Sequence, residues 1–562
     1  MEVALVLRFS RQWLVFLASA VCCATGANLA GAQSPPALSA EASAPRTLGW
    51  MRGFPPPPDK VIGQPDSNYF SFPKMRWTVC HFRELLPTKV VSRGLGAPVP
   101  FDRAIDAGID AVTFKPLGSD EAMTFKDALG ANYTDGLVIL HEGRIVYEHY
   151  SGCLDAAGKH GAMSMTKSLT GLLAEILVAE GKLDDTALVS SLIPELARSA
   201  FGSATVRQVM DMTTALDFNE NYADPKADIW VYGAAGNPLP KPAGYTGPIG
   251  YYAFLETVRQ KGTHGDAFGY KTVNTDVLGW IVSRVTGKPV TELLSERIWS
   301  RMGAEQDAYL TIDALGTPFA GGGLSAGLRD LARIGQLMLD EGVINGERLF
   351  PAAAVQSIRS GGEKAAFEKA GFKTLSGGSY RGMWWVFHNA HGAYAARGVH
   401  GQTIYVDPEA RMVLVRLASH PTAKNAAIDP TSLPAYQAVA EYLLNKKVAM
   451  TRPQGDWRIS QISGVADVGD AKTQFSFRDD GRVAMTVGCN RLMAMPEISG
   501  ASIRIGPVAS TRMACPPPLN ELERKLLAAL EATRTFDTST SSKSIVFKDA
   551  DGELQIALSQ EE

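Results

Sequence analysis

The stretch Gly161-Ala-Met-Ser-Met-Thr-Lys-Ser168 determines how the rest of this 562-residue chain is interpreted. From Leu169 onward, apolar residues recur at intervals of three and four, which predicts a helix that begins at this motif and buries one face. Residues three positions apart lie on the same side of a helix, so we expect the Lys167 ammonium within hydrogen-bond reach of the Ser164 hydroxyl. The unpaired N–H groups at the helix start, that of Ser164 included, would face a developing oxyanion.

This spacing suits nucleophilic catalysis. A serine hydroxyl is a weak nucleophile until a neighbouring group takes its proton. A lysine can do so only if burial or positive potential keeps it partly neutral, and a helix N-terminus supplies positive potential. The motif therefore predicts Ser164 as nucleophile and Lys167 as its base. The alternative is an ordinary N-cap serine, because Ser-x-x-Lys also occurs by chance in long chains.

Two later segments identify a family. They are Phe268-Gly-Tyr-Lys-Thr-Val-Asn-Thr-Asp-Val-Leu-Gly-Trp280 and Arg397-Gly-Val-His-Gly-Gln-Thr-Ile-Tyr-Val-Asp-Pro408. In this order after Ser-x-x-Lys, they resemble the motifs of the serine β-lactamase-like hydrolases. That family includes class C β-lactamases, D-Ala-D-Ala carboxypeptidases, family VIII esterases and nylon-oligomer (6-aminohexanoate-dimer) hydrolases, and the wording is most similar to the last branch. The resemblance covers roughly residues 75–445 and implies an α/β (α+β) fold, with an antiparallel sheet flanked by helices and a helical subdomain.

The resemblance also implies roles for individual residues. Tyr270 matches the family tyrosine that shares proton transfer with Ser164 and Lys167, and whether Lys167 or Tyr270 is the resting base stays open. Tyr222 matches by spacing a tyrosine that contacts substrate in nylon-oligomer hydrolases, although an ordinary half-buried tyrosine is the alternative.

The segment that matches the lactamase Lys-Thr-Gly strand supplies three more candidate substrate-binding residues. We expect His400 on a strand that lines the cleft. The backbone N–H of Val399 or Gln402 is expected to complete the oxyanion hole.

Two departures from the family pattern bear on substrate. Thr272 stands where a Tyr-x-Asn motif would place asparagine, although Asn274 is close by, and Val399 and His400 occupy the stretch that carries Lys-Thr-Gly in lactamases. We therefore expect an ester or small amide substrate without a required carboxylate. The alternatives are β-lactamase or D-Ala-D-Ala carboxypeptidase activity and, in another class, a non-catalytic ligand-binding or sensor protein on the same fold.

A second serine lies in a literal G-x-S-x-G motif, Gly323-Leu-Ser-Ala-Gly327. A nucleophile elbow needs a buried strand that runs directly into the turn, but a glycine run precedes this motif. Apolar residues at helical spacing follow it, which predicts that Ser325 is the N-cap of a helix rather than a nucleophile.

Composition excludes several function classes. The net charge is −3 with both signs interspersed, so nucleic acid is not an expected partner. Clustered metal-ligand motifs are missing from the sequence, and we expect neither a metal nor a cofactor. A small ester or amide substrate is the one expected partner, and the sequence carries no signal for an oligomeric state.

The domain boundaries follow from changes in composition. Residues 1–32 have arginines, a short apolar core and an Ala-Gly-Ala end, which predicts a cleavable signal peptide and a periplasmic or secreted protein without stable membrane insertion. An uncleaved N-terminal anchor is the alternative. Residues 33–74 are predicted as a Pro-rich linker and residues 75–447 as the hydrolase domain.

Residues 453–560 are predicted as a second domain. An alternating pattern around Asp480-Gly481 predicts a β-hairpin, and a helix is expected from Asn520 to Leu530. With Gly-Cys-Asn and Thr-Arg-Met-Ala-Cys, this region resembles the META domain, a small β-rich module. Cys489 and Cys515 could form a disulfide in an oxidising compartment, and two free buried thiols are the alternative.

Overall fold

The computed structural model describes residues 37–63, 68–241, 243–451, 454–469, 471–499, 502–537 and 544–560. The predicted signal peptide, residues 1–32, lies outside these ranges. Within them, none of the helices has the length and apolar character needed to cross a bilayer.

A seven-stranded antiparallel sheet forms the centre of the predicted hydrolase domain. The strands Thr134–His141 and Arg144–Tyr150 form the hairpin expected from sequence. Its turn residues Glu142 and Gly143 have positive φ angles of 51° and 77°. In spatial order the strands are Ser379–Arg381, Trp384–Val386, Tyr394–Gly398, Gln402–Asp407, Met412–Ala418, Thr134–His141 and Arg144–Tyr150.

Helices cover both faces of this sheet, because side chains of successive strand residues point to opposite faces and both sets are apolar. Val413 packs in the same core as the helix Met165–Ala179, whereas its neighbour Leu414 packs with the helix Asp429–Thr451. An antiparallel sheet flanked by helices confirms the predicted fold class.

The helical subdomain follows the helix Met165–Ala179. Its helices are Val189–Leu192, Val206–Met210, Asp228–Gly236, Tyr251–Leu255, Val273–Thr286 and Val290–Leu294, followed by a π-helical turn at Ser295–Trp299. Further helices of the domain are Phe125–Ala131, Leu328–Leu339, Ala352–Ser360 and Lys364–Glu368. A four-stranded antiparallel sheet contains, in spatial order, Thr88–Val91, Ala308–Thr311, Leu324–Ala326 and His160–Gly161. Three strand pairs are Thr113–Phe114 with Met123–Thr124, Leu216–Asp217 with Arg259–Gln260, and Val343–Ile344 with Glu347–Arg348.

The described part of residues 33–74 is packed against the chain that follows it. It contains the helix Pro45–Leu48, and Ile62 is buried against Trp77 and Leu85. The physical reason is that its apolar side chains find partners on the helices Met75–Thr78 and Phe82–Leu85, which follow it.

The C-terminal region has its own hydrophobic core. The predicted hairpin is formed by Thr473–Phe477 and Val483–Val487, and the predicted helix spans Pro517–Ala532. The ten antiparallel strands lie in the order Pro496–Ser499, Ser502–Ile505, Thr535–Asp537, Ser544–Lys548, Leu554–Ser559, Gly455–Ile462, Thr473–Phe477, Val483–Val487, Arg491–Ala494 and Ala509–Ser510.

Two local predictions are wrong. Ser325 is not an N-cap: it lies in the strand Leu324–Ala326, and Gly327 is the N-cap of the helix Leu328–Leu339. The glycine run before Ser325 leads into a strand because Ser325 pairs with Gly161 in the four-stranded sheet. His400 is not on a strand either, because it lies in a three-residue turn and has a φ of 63°.

Candidate active site

Ser164 and Lys167 meet as the sequence predicts. Ser164 is the N-cap of the helix Met165–Ala179, and the preceding Met163 has a φ of 47°, a strained conformation for a side chain of its size. The Lys167 side chain is buried, and its Nζ donates hydrogen bonds to Ser164 Oγ at 3.0 Å and to the Gly321 carbonyl at 2.5 Å. The serine hydroxyl thus has a partner that can take its proton if the lysine is neutral.

The surroundings move Lys167 towards neutrality. Burial lowers the pKa of Lys167 to about 8, while the negative charges of Glu220 and Asp276 oppose that shift. A lysine with this pKa is partly deprotonated near neutral pH and can act as a base.

Tyr270 lies at the same place. Burial raises the pKa of Tyr270, and a hydrogen bond with Ser164 opposes the shift, so the phenol keeps its proton. Lys167 Nζ lies 5.3 Å from the centre of the Tyr270 ring, which stacks on Trp385 at 5.3 Å. The three predicted catalytic side chains are therefore brought together, with two polar groups close to one serine hydroxyl.

The backbone around Gly398 approaches the Ser164 amide. A Cβ at position 398 would lie 2.8 Å from the Ala162 carbonyl oxygen and 3.0 Å from the Ser164 nitrogen, so no larger residue fits without movement. This contact brings Val399 beside the start of the helix Met165–Ala179, where an oxyanion hole would need a second N–H group.

The structure places the other residues of this segment differently. Val399 lines the cavity next to Tyr270, but His400 and Gln402 do not. The Gln402 side chain is fully buried and holds the turn, since it donates to the carbonyls of Val399 and Ala418 and accepts from the Ala418 N–H. The Gln402 side chain is thus engaged within the turn, and the role expected for the Gln402 backbone N–H stays a prediction.

His400 is buried in the turn as well. A ring N–H donates from Nδ1 to the His420 carbonyl at 2.7 Å, and burial lowers the pKa of His400 to about 4. The ring also meets Phe70 edge-on. The Nδ1–H thus anchors the imidazole to the turn, and the ring is neutral near pH 7.

A cavity of about 320 Å³ opens at Tyr270. Tyr222 lines it as the sequence predicts, and the Tyr222 hydroxyl donates to Glu220 Oε1 at 2.9 Å. The same carboxylate accepts from the Thr272 hydroxyl at 2.6 Å. Thr272 thus occupies the expected asparagine position and orients Glu220 in the cavity wall.

Sequence reasoning missed two carboxylates. No local sequence pattern marks Glu220. The one signal is Thr272, whose hydroxyl stands in place of the family's amide and needs a hydrogen-bond acceptor, which Glu220 provides. Asp276 is buried, its Oδ1 accepts from the Gly321 N–H at 3.2 Å, and burial raises its pKa while Tyr232 and Lys167 oppose the rise. Asp276 therefore binds the N–H of Gly321, and Lys167 binds the carbonyl of the same residue.

The four cysteines within the described residues form two disulfides. Cys489 is bonded to Cys515, the pairing considered from sequence, and Cys80 is bonded to Cys153. Within the described ranges, Cys80 and Cys153 also form a compact group of potential metal ligands with His160, but the disulfide removes both thiolates.

Comparisons with known proteins agree with this fold. Residues 126–435 match the model of the β-lactamase family, and residues 449–562 match the META domain. The chain is 35% identical over 366 residues to 6-aminohexanoate-dimer hydrolase from Paenarthrobacter ureafaciens. The aligned region covers 65% of this chain and 90% of that protein.

A solved structure from Bacillus anthracis, named as a candidate 6-aminohexanoate-dimer hydrolase, is similar too. It has 32% sequence identity and a TM-score of 0.60, and the match covers 67% of this chain and 96% of that one. The family and enzyme class predicted from sequence are confirmed. The chain belongs to the β-lactamase family, is a serine hydrolase of the amidase or esterase type, and carries a META domain.

Proposed function

We propose that the enzyme cleaves esters or small amides through an acyl-enzyme on Ser164, with Lys167 and Tyr270 moving the proton. The observation that carries this proposal is the 3.0 Å hydrogen bond between Lys167 Nζ and Ser164 Oγ, made by a lysine in a fully buried position. Burial favours the neutral amine, which can accept the serine proton as Ser164 attacks the carbonyl carbon.

The remaining steps use the same groups. Tyr270, whose phenol keeps its proton, is placed to pass a proton to the leaving alcohol or amine and to be reprotonated from Lys167. The amides of Ser164 and Val399 are the candidates to stabilise the tetrahedral oxyanion. Water then attacks the acyl carbonyl carbon, one of its protons passes through Lys167 and Tyr270 to Ser164 Oγ as the acyl–oxygen bond breaks, and the carboxylic acid leaves.

The preferred substrate class follows from what surrounds the serine. Thr272 stands where the family pattern would have an asparagine and donates to Glu220 in the cavity wall, and no lysine stands in the Val399–Gly401 turn. This favours esters and small amides over penicillins. The 35% identical relative is named for the 6-aminohexanoate dimer, and we propose linear amides of that kind as substrates to be tried first.

The decisive experiment compares the mature wild-type protein with Ser164→Ala and Ser325→Ala variants. Hydrolysis of p-nitrophenyl acetate and butyrate and intact-mass detection of a fluorophosphonate adduct are measured for each. We expect Ser164→Ala alone to lose both signals, with turnover reduced at least about 1000-fold. Ser325 is the matched control, since it is a buried serine on a neighbouring strand.

Other outcomes would overturn the proposal. Loss of turnover and labelling in Ser325→Ala alone would move the nucleophile to the other motif. A wild-type protein that neither turns over nor labels would favour a non-catalytic binding protein, and rapid nitrocefin hydrolysis would favour a β-lactamase.

We also propose that the protein is exported to the periplasm or secreted. The support is the signal-like sequence of residues 1–32 together with two disulfides, which persist in oxidising compartments. Fractionation of cells and N-terminal sequencing of the mature protein test this. A cytoplasmic protein that retains Met1 would contradict it.

A further inference from the structure

A second cavity, of about 370 Å³, adjoins the Ser164 motif. Its lining includes Met163, the residue bonded directly to Ser164. It also includes Gly322 and Gly323, which follow the glycine whose carbonyl accepts a hydrogen bond from Lys167. The cavity therefore adjoins the residue before the predicted nucleophile and the glycine run whose first carbonyl binds its predicted base.

One wall of this cavity is an N-terminal arm, residues 68–91, which contributes Tyr69, Phe70, Phe82 and Leu86. The arm lies before residues 126–435, the part of the chain that matches the β-lactamase family model.

Three contacts fix the arm relative to Ser164. The Gly161 N–H donates to the Val79 carbonyl at 2.7 Å, and the Cys80–Cys153 disulfide ties the same turn of chain to the domain. The Phe82 ring lies so close to Gly161 that a Cβ there would be 2.6 Å from Phe82 Cε2. This wall is therefore held in place three residues before the serine.

The facing wall is aromatic as well. Trp230, Tyr251 and Phe319 line it, and the Tyr251 and Phe319 rings stack at 5.0 Å. The cavity lining, all of it within the described residues, contains no Asp, Glu, Lys or Arg. The 320 Å³ cavity at Tyr270 differs, since Glu220, Arg397, Lys424 and Asp429 line it.

We propose that the arm-lined cavity is a second substrate subsite that binds a neutral apolar or aromatic substituent of the ester or amide. An apolar group gains free energy by leaving water for such a cavity, whereas a charged group would lose its hydration without a partner. The inference rests on the proposed function, because it assigns a substrate class to the same serine.

Gly233 offers a direct test. It lies in the helix Asp228–Gly236 and lines the cavity, and a Cβ there would meet no atom within 4 Å. A Gly233→Leu substitution therefore adds side-chain volume at a position where the Cβ meets no atom, and leucine suits a helix better than glycine. Gly130→Leu is the matched control, because Gly130 lies in the helix Phe125–Ala131, has the same open surroundings and lines neither cavity.

The assay measures kcat/KM for two ester series. One varies the acyl chain of p-nitrophenyl esters from acetate to octanoate, and the other varies the alcohol of acetate esters from ethyl to octyl. In wild type, we expect kcat/KM to rise with chain length in one of the series. Gly233→Leu should lower the ratio of kcat/KM for the longest over the shortest member at least about tenfold, and Gly130→Leu should leave that ratio unchanged.

The result that overturns the subsite is an active enzyme whose chain-length ratios are flat in both series, or are the same in Gly233→Leu as in wild type. Such an enzyme would still depend on Ser164, so failure of the subsite is distinguishable from failure of the proposed function. An equal fall in kcat/KM for all esters in Gly233→Leu, together with a lowered melting temperature, would also reject the subsite.

Discussion

Replacing Asp276 by asparagine should move the pH dependence of the enzyme without removing its activity. Asp276 and Lys167 bind the N–H and the carbonyl of Gly321 at 3.2 Å and 2.5 Å. With ordinary backbone dimensions, these contacts place the two charges at most about 9 Å apart. At an effective dielectric constant of about 20, a carboxylate at that distance stabilises the ammonium by about 2 kcal/mol.

The sign of the effect follows from this attraction. Lys167 must lose its proton to act as a base, so kcat/KM should rise with pH through a midpoint near the Lys167 pKa of about 8. Removal of the negative charge makes the ammonium less stable and lowers that pKa. We expect the midpoint to fall by about one pH unit, which is about 1.4 kcal/mol, because burial also leaves Asp276 incompletely ionised in this range.

The measurement is kcat/KM for p-nitrophenyl butyrate from about pH 5 to about pH 10, a range that spans the titration of Lys167. Asparagine keeps an acceptor for the Gly321 N–H, so the fold should be preserved. Asp407→Asn is the control, because Asp407 is equally buried but lies at the other end of its strand from the Val399–Gly401 turn. A midpoint that stays in place or rises in Asp276→Asn would refute Lys167 as the titrating base.

Two further predictions concern packing and covalent links. Gly171→Ala should lower the free energy of unfolding by about 1–3 kcal/mol, because the new Cβ would lie 2.1 Å from the Gly382 carbonyl oxygen. Urea unfolding measures this change, with Gly130→Ala as the control. An unchanged midpoint in Gly171→Ala would contradict the close packing. Replacing Cys489 and Cys515 together by serine should destabilise the META domain by about 3 kcal/mol, since the disulfide closes a loop with a sequence separation of 26; a thermal transition unchanged from wild type would show that the link adds nothing.

Local patterns predict this structure well where neighbours in sequence are neighbours in space. The helix after Ser164, the Glu142-Gly143 hairpin and the Asp480-Gly481 hairpin all depend on short-range periodicity and turn chemistry. Ser164 and Lys167 meet for the same reason, because they are one turn apart on a helix.

Tertiary contacts account for what the sequence could not show. The Gly321 carbonyl that holds Lys167 is 154 residues away in the chain, and the Glu220 carboxylate reaches Thr272 across 52 residues. His400 fails as a strand residue because the chain reverses there, between paired Gly398 and Gln402. Periodicity carries no information about such pairings, and only the folded sheet brings them together.

The two missed carboxylates oppose the effect of burial on Lys167, the proposed base. Desolvation alone would push the pKa of Lys167 down until the amine was too weak to hold a serine proton. Glu220 and Asp276 oppose that fall, one from the wall of the 320 Å³ cavity and the other through Gly321. Glu220 lines that cavity, whereas Asp276 is buried and is not among its lining residues. The basicity of Lys167 therefore depends on two carboxylates, one in the cavity wall and one bonded to the Gly321 N–H.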